Sequence, residues 1–129
     1  MRPTCYLDAS ALVKLVVLEP ESDAFRTFVA GRHLTATEIT EVEAHRAVQR
    51  RAPLREQALV EALAAVSLIP LDDDIRRLAS TVEPARLRSL DAIHLATALL
   101  VEGIDEFVSY DSRLTEAARD RGLNVLSPA

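Results

Sequence analysis

Short apolar segments alternate along this chain with longer segments that have the residue spacing of helices. This alternation is typical of a parallel sheet that is covered by helices on both faces. The predicted strands are residues 3–7, 33–36, 67–71, 106–110 and 124–126, and the predicted helices are residues 9–18, 20–30, 38–51, 53–66, 72–82, 89–102 and 111–121. With no internal repeat or linker, the sequence predicts a single domain over residues 1–129. Its expected fold class is α/β, a three-layer α/β/α sandwich around a short central parallel sheet.

Composition limits the class of protein. The chain has 129 residues, 49% of them hydrophobic, which is enough for one domain with a buried core. The longest nearly apolar run, residues 9–18, is too short to cross a bilayer, and the N-terminus lacks the pattern of a signal peptide. One cysteine, Cys5, excludes an internal disulfide framework and a CxxC zinc site. We therefore expect a cytoplasmic protein with no membrane partner.

The net charge of −5 argues against a broad nucleic-acid-binding surface, because such a surface needs clustered positive charge. It does not exclude a nuclease, since bound metal ions neutralise acidic residues locally and a few arginines can hold phosphate. Arg50 and Arg51 form one short basic pair, for which a solvated helix end is the simpler interpretation.

Four acidic residues lie where a buried element is predicted to end or where a helix should turn an apolar face inward: Asp8, Glu43, Asp91 and Asp111. Carboxylates in apolar surroundings need a partner that offsets the cost of losing their hydration. No cation-rich segment accompanies them, and one divalent metal centre would serve all of them together. Oxygen donors suit Mg²⁺ or Mn²⁺. The pattern therefore predicts a metal-dependent hydrolase.

Topology assigns two of these carboxylates to the same edge of the sheet. Asp8 ends the first predicted strand, and Asp111 directly follows the fourth. Sites in open parallel sheets form beyond the carboxyl ends of the strands, so both side chains should project toward one rim. Helix capping is the alternative role for Asp111, which begins a predicted helix, and Arg113 is its alternative partner.

Helical spacing singles out Glu43 among three nearby glutamates. At about 100° per residue, Glu43 falls between Ile39 and Ala47, whereas Glu41 points to nearly the opposite side. Glu43 is therefore the glutamate most suited to face inward. Arg46 lies one turn later, and an ion pair between Glu43 and Arg46 is the alternative to a metal site.

Asp91 opens the most apolar helical segment of the chain, residues 90–100. A helix that is apolar all round is usually central, and an aspartate in its first turn is favoured by the helix dipole. Capping is thus the alternative role for Asp91, but Ser89 is available to cap, which would free Asp91 for a metal. His94 lies one turn along on the same face, and its simpler role is that of a hydrogen-bonded core residue.

Other known sites fit the sequence less well. A haloacid-dehalogenase-like phosphatase needs a second aspartate two residues after the first, where this chain has Ser10. A response-regulator receiver needs a paired acidic cluster and a late lysine, and the P-loop pattern GxxxxGK is absent. The acidic run at residues 72–74 is explained by a solvated first helical turn. A non-catalytic module that binds RNA or a protein, or a metal-dependent phosphatase, stays open as an alternative.

Four segments of the chain resemble the motifs of PIN domains, and most closely those of VapC-type toxins from bacterial toxin–antitoxin pairs. The segments are YLDASALVK (residues 6–14), TEVEAHRA (40–47), LDAIHLATA (90–98) and VSYDSRL (108–114). Each segment contains one of the four acidic residues, and together they cover the chain in the family's order. Any one segment is a weak signal, whereas four in this order are specific.

The resemblance implies a Mg²⁺- or Mn²⁺-dependent endoribonuclease, a toxin that hydrolyses RNA phosphodiester bonds with a metal-activated water. The catalytic metal ligands that it implies are Asp8, Glu43, Asp91 and Asp111. Ser10 and Ser109 would contact the ligands or the water of the metal, and the family's arginine three residues after the glutamate corresponds to Arg46.

The same resemblance implies an RNA substrate, homodimers and a cognate antitoxin that covers the acidic cleft. An arginine of that antitoxin would pair with the carboxylates and compete with the metal. The apolar segments at residues 9–18 and 58–66 are candidate contact surfaces, although the domain's own core is their simpler explanation.

Overall fold

In the computed structural model, which describes all of residues 1–129, five parallel strands form one sheet in the order β3-β2-β1-β4-β5. The strands are β1 (Thr4–Leu7), β2 (His33–Thr37), β3 (Val66–Ile69), β4 (Glu106–Val108) and β5 (Val125–Leu126). The central strand is β1, with β2 and β4 as its parallel neighbours. The carboxyl ends of β1 and β4 therefore lie side by side at one rim of the sheet.

Seven helices connect the strands and follow the predicted pattern. They are α1 (Ala9–Val13), α2 (Ser22–Val29), α3 (Ile39–Arg51), α4 (Glu56–Ala64), α5 (Asp73–Ala79), α6 (Ser89–Leu100) and α7 (Ser112–Asp120). A single 3-10 turn, Pro53–Arg55, precedes α4, because the proline favours the start of a helical segment. None of the helices has the length and hydrophobicity that a membrane span requires.

Side chains along the central strand alternate between two cores, as the pleat of a strand requires. Cys5 and Leu7 lie in one core together with Phe25 of α2. Tyr6 points to the opposite face, into a second core that contains Leu95 of α6. The parallel sheet with a core on each face confirms the predicted three-layer α/β/α sandwich.

The first helix is shorter than the predicted helix over residues 9–18. It ends at Val13, and residues 14–16 form turns. The N–H groups of Lys14, Leu15 and Val16 donate to carbonyls three residues earlier, which is the tighter 3-10 pattern. Lys14 is buried and ion-paired with Glu21 at 3.1 Å, a tertiary interaction that the apolar pattern of this segment does not reveal.

Candidate active site

The rim at the carboxyl ends of β1 and β4 carries the first carboxylate, Asp8. Asp8 is only 4% exposed and begins α1 as its N-cap. Its Oδ1 accepts hydrogen bonds from the Ser10 hydroxyl at 2.6 Å and from the Ala11 N–H at 3.0 Å, and its Oδ2 accepts from the Ser109 hydroxyl at 2.6 Å. Burial raises the pKa of Asp8, and the charge of His94 and these three donors counteract that effect. Capping and a role in the site are therefore compatible for this residue.

The two serines also tie the rim together. The Ser10 hydroxyl accepts a hydrogen bond from the Tyr110 N–H at 2.9 Å, and the Ser109 hydroxyl accepts one from the Asp111 N–H at 3.0 Å. Each serine therefore contacts Asp8 and, at the same time, the loop that follows β4. This arrangement holds the Asp8 carboxylate in one orientation.

Glu43 reaches the rim from α3, and its partner comes from α6. No ion pair joins Glu43 to Arg46, the alternative to a metal site; instead, Glu43 Oε1 lies 2.7 Å from Nε2 of His94. His94 is 51 positions away in the sequence, so helical spacing alone suggests only the nearer arginine. The alternative of a Glu43–Arg46 pair is therefore not what the structure shows.

His94 is a hydrogen-bonded core residue, as its position in the apolar helix suggests. It is 1% exposed, and its Nδ1 lies 2.8 Å from the Tyr6 hydroxyl. Burial lowers the pKa of His94, but the hydrogen bond with Glu43 and the charges of Asp8, Glu43 and Asp91 outweigh burial and raise it. Both ring nitrogens are engaged by protein groups, which leaves neither of them free to bind a metal.

Asp91 lies in the first turn of α6 without any hydrogen bond to its side chain, and Ser89, the candidate cap in the sequence, does not cap the helix. The helix begins at Ser89, one residue earlier than a Ser89 cap requires, so the N-cap position falls on Arg88. The Arg88 side chain makes no capping hydrogen bond. Burial raises the pKa of Asp91 to about 6, the charges of Asp111, Asp8 and Glu43 add to the rise, and His94 opposes it. The carboxylates of Asp8, Glu43 and Asp111 are therefore near enough to Asp91 to disfavour its charged form.

Asp111 is the exposed member of the set. It is the N-cap of α7 and accepts hydrogen bonds from the Arg113 and Leu114 N–H groups at 2.9 and 3.0 Å. The guanidinium of Arg113 forms no ion pair with it. Arg113 contacts Asp111 through its backbone N–H and not through its side chain, so no neighbouring cation neutralises the charge of Asp111.

Comparison with known proteins places the chain in a family. The model of the PIN domain matches residues 5–120. The chain belongs to the PIN-domain family. It is 40% identical to Ribonuclease VapC46 of Mycobacterium tuberculosis over 127 residues, which cover 96% of this chain and 97% of the relative. The resemblance of the four sequence segments to VapC-type PIN domains is therefore confirmed.

Solved structures agree on the fold of this PIN domain. The chain superimposes on Mycobacterium tuberculosis VapC20, described as a sarcin-ricin loop cleaving toxin, with a TM-score of 0.74 at 16% identity, covering 96% of this chain and 99% of VapC20. It also superimposes on a toxin–antitoxin complex from Klebsiella pneumoniae with a TM-score of 0.73 at 22% identity, covering 97% and 98% of the two chains. At such identities the likeness shows the fold alone.

The donor set of this PIN domain fits a hard divalent cation, although the carboxylates do not form a ready-made cage. No three or more histidine, cysteine, aspartate or glutamate side chains lie close enough together to enclose an ion. All four candidate ligands nevertheless offer oxygen, and no lysine or arginine side chain pairs with any of them. Oxygen-rich, cation-poor sites are those that Mg²⁺ and Mn²⁺ prefer.

Two residues next to the carboxylates carry no signal that sequence reasoning can separate from ordinary packing. Tyr6 stacks on Phe107 with ring centroids 5.3 Å apart, as a core aromatic would, yet its hydroxyl reaches His94. Lys14 lies in an apolar segment, yet it pairs with Glu19 and Glu21 and sits 4.3 Å from the Tyr110 ring centroid. The sequence offers only a tyrosine two residues before Asp8 and a lone lysine in an apolar run, and neither pattern indicates these contacts.

Proposed function

We propose that this protein is a Mg²⁺- or Mn²⁺-dependent endoribonuclease that acts as the toxin of a toxin–antitoxin pair. The observation that carries the proposal is the rim itself. Asp8 follows β1, Asp111 follows the neighbouring β4, and Glu43 lies 2.7 Å from His94 of α6, whose first turn carries Asp91. No arginine or lysine side chain pairs with any of the four. The 40% identity to a ribonuclease over nearly the full length supports RNA as the substrate.

The acidic residues offer the oxygen donors that metal-assisted hydrolysis of a phosphodiester uses. Asp8, Glu43, Asp91 and Asp111 would hold the metal. Bound Mg²⁺ or Mn²⁺ lowers the pKa of a coordinated water and offsets the negative charge that develops on the phosphate. The hydroxyls of Ser10 and Ser109 keep the Asp8 carboxylate turned toward the rim. Asp91, whose carboxylate makes no hydrogen bond, would be free to accept a proton from an attacking water.

The proposed partners follow from the same site. Structural neighbours include toxin–antitoxin complexes, which supports a cognate antitoxin for this chain. A cationic antitoxin side chain that entered the rim would pair with the uncompensated carboxylates and displace the metal. A homodimer and a cytoplasmic location belong to this proposal as predictions.

Cleavage of total cellular RNA tests the proposal directly. Purified protein is incubated with RNA in Mg²⁺, Mn²⁺ or EDTA, beside an Asp8→Asn control, and the 5′ ends of the products are mapped. Discrete cuts that need both metal and Asp8 are the expected result, and they would name the target. Absence of cleavage in every metal, after removal of any co-purified inhibitor, would reject the endonuclease and favour a binding module or another phosphoester substrate.

A further inference from the structure

A groove of about 620 Å³ opens beside the acidic rim. Its lining includes Ser10 and Glu43 of the candidate site and three arginines of α3, namely Arg46, Arg50 and Arg51. The groove is therefore continuous with the carboxylates and also carries positive charge, although the whole chain has a net charge of −5.

Helix geometry arranges these charges in a line. Arg46 and Arg50 follow Glu43 by three and seven residues, so they lie on the same face of α3 as the candidate metal ligand. The rise of about 1.5 Å per residue puts Arg50 roughly 10 Å from Glu43 along the helix axis. The arginines thus extend away from the site along one wall of the groove.

Two of the three arginines have no anionic partner. Arg51 pairs with Glu19 at 2.9 Å, and Lys14 on the facing segment pairs with the same glutamate at 3.4 Å. Arg46 and Arg50 are exposed and form neither an ion pair nor a side-chain hydrogen bond. Their guanidinium groups are therefore available to an anion that enters the groove.

We propose that Arg46 and Arg50 bind the phosphate groups of RNA on one side of the bond that is cleaved. This assignment rests on the proposed ribonuclease function and adds the path of the substrate to it. Guanidinium groups bind phosphate oxygens with two parallel hydrogen bonds, which orients a flexible strand as well as attracting it. An RNA strand along α3 would pass from these arginines directly to Glu43 at the proposed metal site. An acidic protein segment has no reason to approach that carboxylate, so the continuity of the groove with the site favours RNA.

RNA binding by the cleavage-deficient Asp8→Asn background tests the path. A labelled single-stranded RNA is titrated with Arg46→Gln, Arg50→Gln and the double variant in Mg²⁺ at several salt concentrations. Arg119→Gln, an exposed arginine of α7 outside the groove, is the matched control. We expect each arginine that is removed to weaken RNA binding roughly 10-fold. The slope of log affinity against log salt concentration should fall by about 1 for each arginine removed. Arg46→Lys and Arg50→Lys, which keep the positive charge, should retain part of the affinity.

Several outcomes would overturn the assignment, and they differ from failure of the ribonuclease itself. In the active protein the double variant should raise KM and leave kcat nearly unchanged. RNA affinity and KM equal to those of Arg119→Gln would reject the path while cleavage stands. The same result together with weakened binding of an acidic peptide would assign the groove to a protein partner. A wild-type protein that neither binds nor cleaves RNA would reject both proposals.

A second inference comes from a buried hydrogen-bond chain on the other side of Glu43. The Tyr6 hydroxyl lies 2.8 Å from His94 Nδ1, and His94 Nε2 lies 2.7 Å from Glu43 Oε1. The Thr37 N–H also donates to the Tyr6 oxygen, at 3.4 Å. Tyr6 is fully buried and His94 nearly so. These hydrogen bonds connect β1, β2 and α6 to Glu43, the carboxylate that α3 contributes to the site.

The direction of the last bond is set by chemistry. An ionised carboxylate only accepts hydrogen bonds, so Nε2 of His94 carries the proton that points at Glu43. This holds whether the imidazole is neutral or charged. A histidine and tyrosine that hold a ligand in this way fix its orientation before the metal arrives, as outer partners of metal ligands commonly do.

We infer that His94 and Tyr6 are positioning residues that act through Glu43 on metal affinity, an inference that rests on the proposed metal site. Mn²⁺ binding is measured by calorimetry without RNA for Tyr6→Phe, His94→Gln and His94→Leu. Partners of this kind are worth about 10–100-fold in metal affinity. We expect Tyr6→Phe and His94→Gln, which keeps an N–H donor, to weaken Mn²⁺ binding less than His94→Leu does.

Thermal unfolding separates this role from mere packing. Leu59→Ala, a change at a fully buried position in the core on the opposite face of the sheet, is the destabilised control, because it leaves Tyr6, His94 and Glu43 untouched. Loss of metal affinity in Tyr6→Phe, with a smaller stability loss than in Leu59→Ala, would support positioning. Unchanged Mn²⁺ affinity in Tyr6→Phe, or an affinity in His94→Leu equal to that of Leu59→Ala, would overturn it. No Mn²⁺ binding by the wild type would reject the metal site as well.

Discussion

The acidic rim consists of two halves that are built differently. Asp8 accepts hydrogen bonds from the Ser10 hydroxyl and the Ala11 N–H of the helix that it caps, and also from the Ser109 hydroxyl beyond β4. Glu43 of α3 is held by the imidazole of His94 from α6. Asp91 has no hydrogen bond to its side chain, and Asp111 accepts only from the first turn of its own helix. The first pair is a fixed half and the second pair an open half of the site.

The two halves differ in how the protein offsets the negative charge of their carboxylates. Donors to the fixed half stabilise its charged form without any ion. In the open half only Asp111 has donors, namely two backbone N–H groups of α7. Asp91 has none, and burial together with the neighbouring carboxylates raises its pKa to about 6. The protein alone therefore completes one half of the site, and the remaining charge of the open half is what a divalent cation would neutralise.

The largest expected effect comes from the fixed half. Asp8→Asn keeps an oxygen for the Ser10 and Ala11 donors, so the fold should persist while one charged ligand is lost. We expect RNA cleavage to fall by more than about 100-fold, because even partners that merely orient a ligand are worth 10–100-fold. Cleavage rates in Mg²⁺ and circular-dichroism melting check both statements. Activity within a few-fold of wild type in a folded Asp8→Asn protein would contradict the assignment.

The serines that hold the fixed half should matter next. Ser109→Ala removes a buried hydroxyl that donates to Asp8 and accepts from the Asp111 N–H. We expect about a 10-fold rise in the Mg²⁺ concentration for half-maximal cleavage and a loss of roughly 1–3 kcal/mol in the free energy of unfolding. Magnesium titrations and denaturant unfolding measure the two effects. Ser112→Ala, at an exposed position on α7, is the control, and an equal metal requirement in both variants would reject the role.

Much of the fold was predictable because it depends on local patterns. The alternation of strands and helices predicts the parallel sheet, and the Asp8 and Asp111 positions at strand ends follow from that topology. The end of α1 was not predictable. It depends on the buried Lys14, whose partners Glu19 and Glu21 lie in a loop that carries no periodic signal.

The partners of the site residues were harder to predict than their positions. Spacing along α3 selects Glu43 correctly as the inward glutamate, but it offers Arg46 as the partner because only that residue is near in sequence. The true donor, His94, is brought there by the packing of α6. Ser89 does not cap α6, because Ser89 is itself the first helical residue and the N-cap position falls on Arg88.

Asp111, the exposed member of the open half, should tolerate substitution better than Asp8 does. Asp111→Asn keeps an oxygen that can cap α7, and the side chain is already exposed. We expect the fold to be unchanged and cleavage to fall by less than about 10-fold, well below the effect at Asp8. Parallel cleavage assays of Asp111→Asn and Asp8→Asn give the ratio of the two losses in cleavage rate. If Asp111→Asn reduced the cleavage rate as much as Asp8→Asn does, the fixed and open halves of the site would contribute equally to cleavage.

The smallest effect is on stability, and it has a definite dependence on pH. Because the pKa of Asp91 is raised to about 6 from 3.8, its folded, metal-free form binds a proton more tightly than the unfolded chain does. The resulting penalty is absent below pH ~4, grows as the pH rises toward 6 and is complete above it. Asp91→Asn should therefore stabilise the metal-free protein at pH 8 and not at pH 4.

The size of that gain is limited because Asp91 is only half buried. A shift of this size would correspond to roughly 3 kcal/mol in a dry site, and solvent screening reduces it to about 1 kcal/mol, or a rise in Tm of about 4 °C. Melting curves in EDTA at both pH values test this, with Asp120→Asn as an exposed aspartate control. If Asp91→Asn lowers Tm equally at both pH values, the carboxylate stabilises α6 through the helix dipole instead. In Mg²⁺ the gain at pH 8 should vanish, since the cation then offsets the charge that the substitution removes.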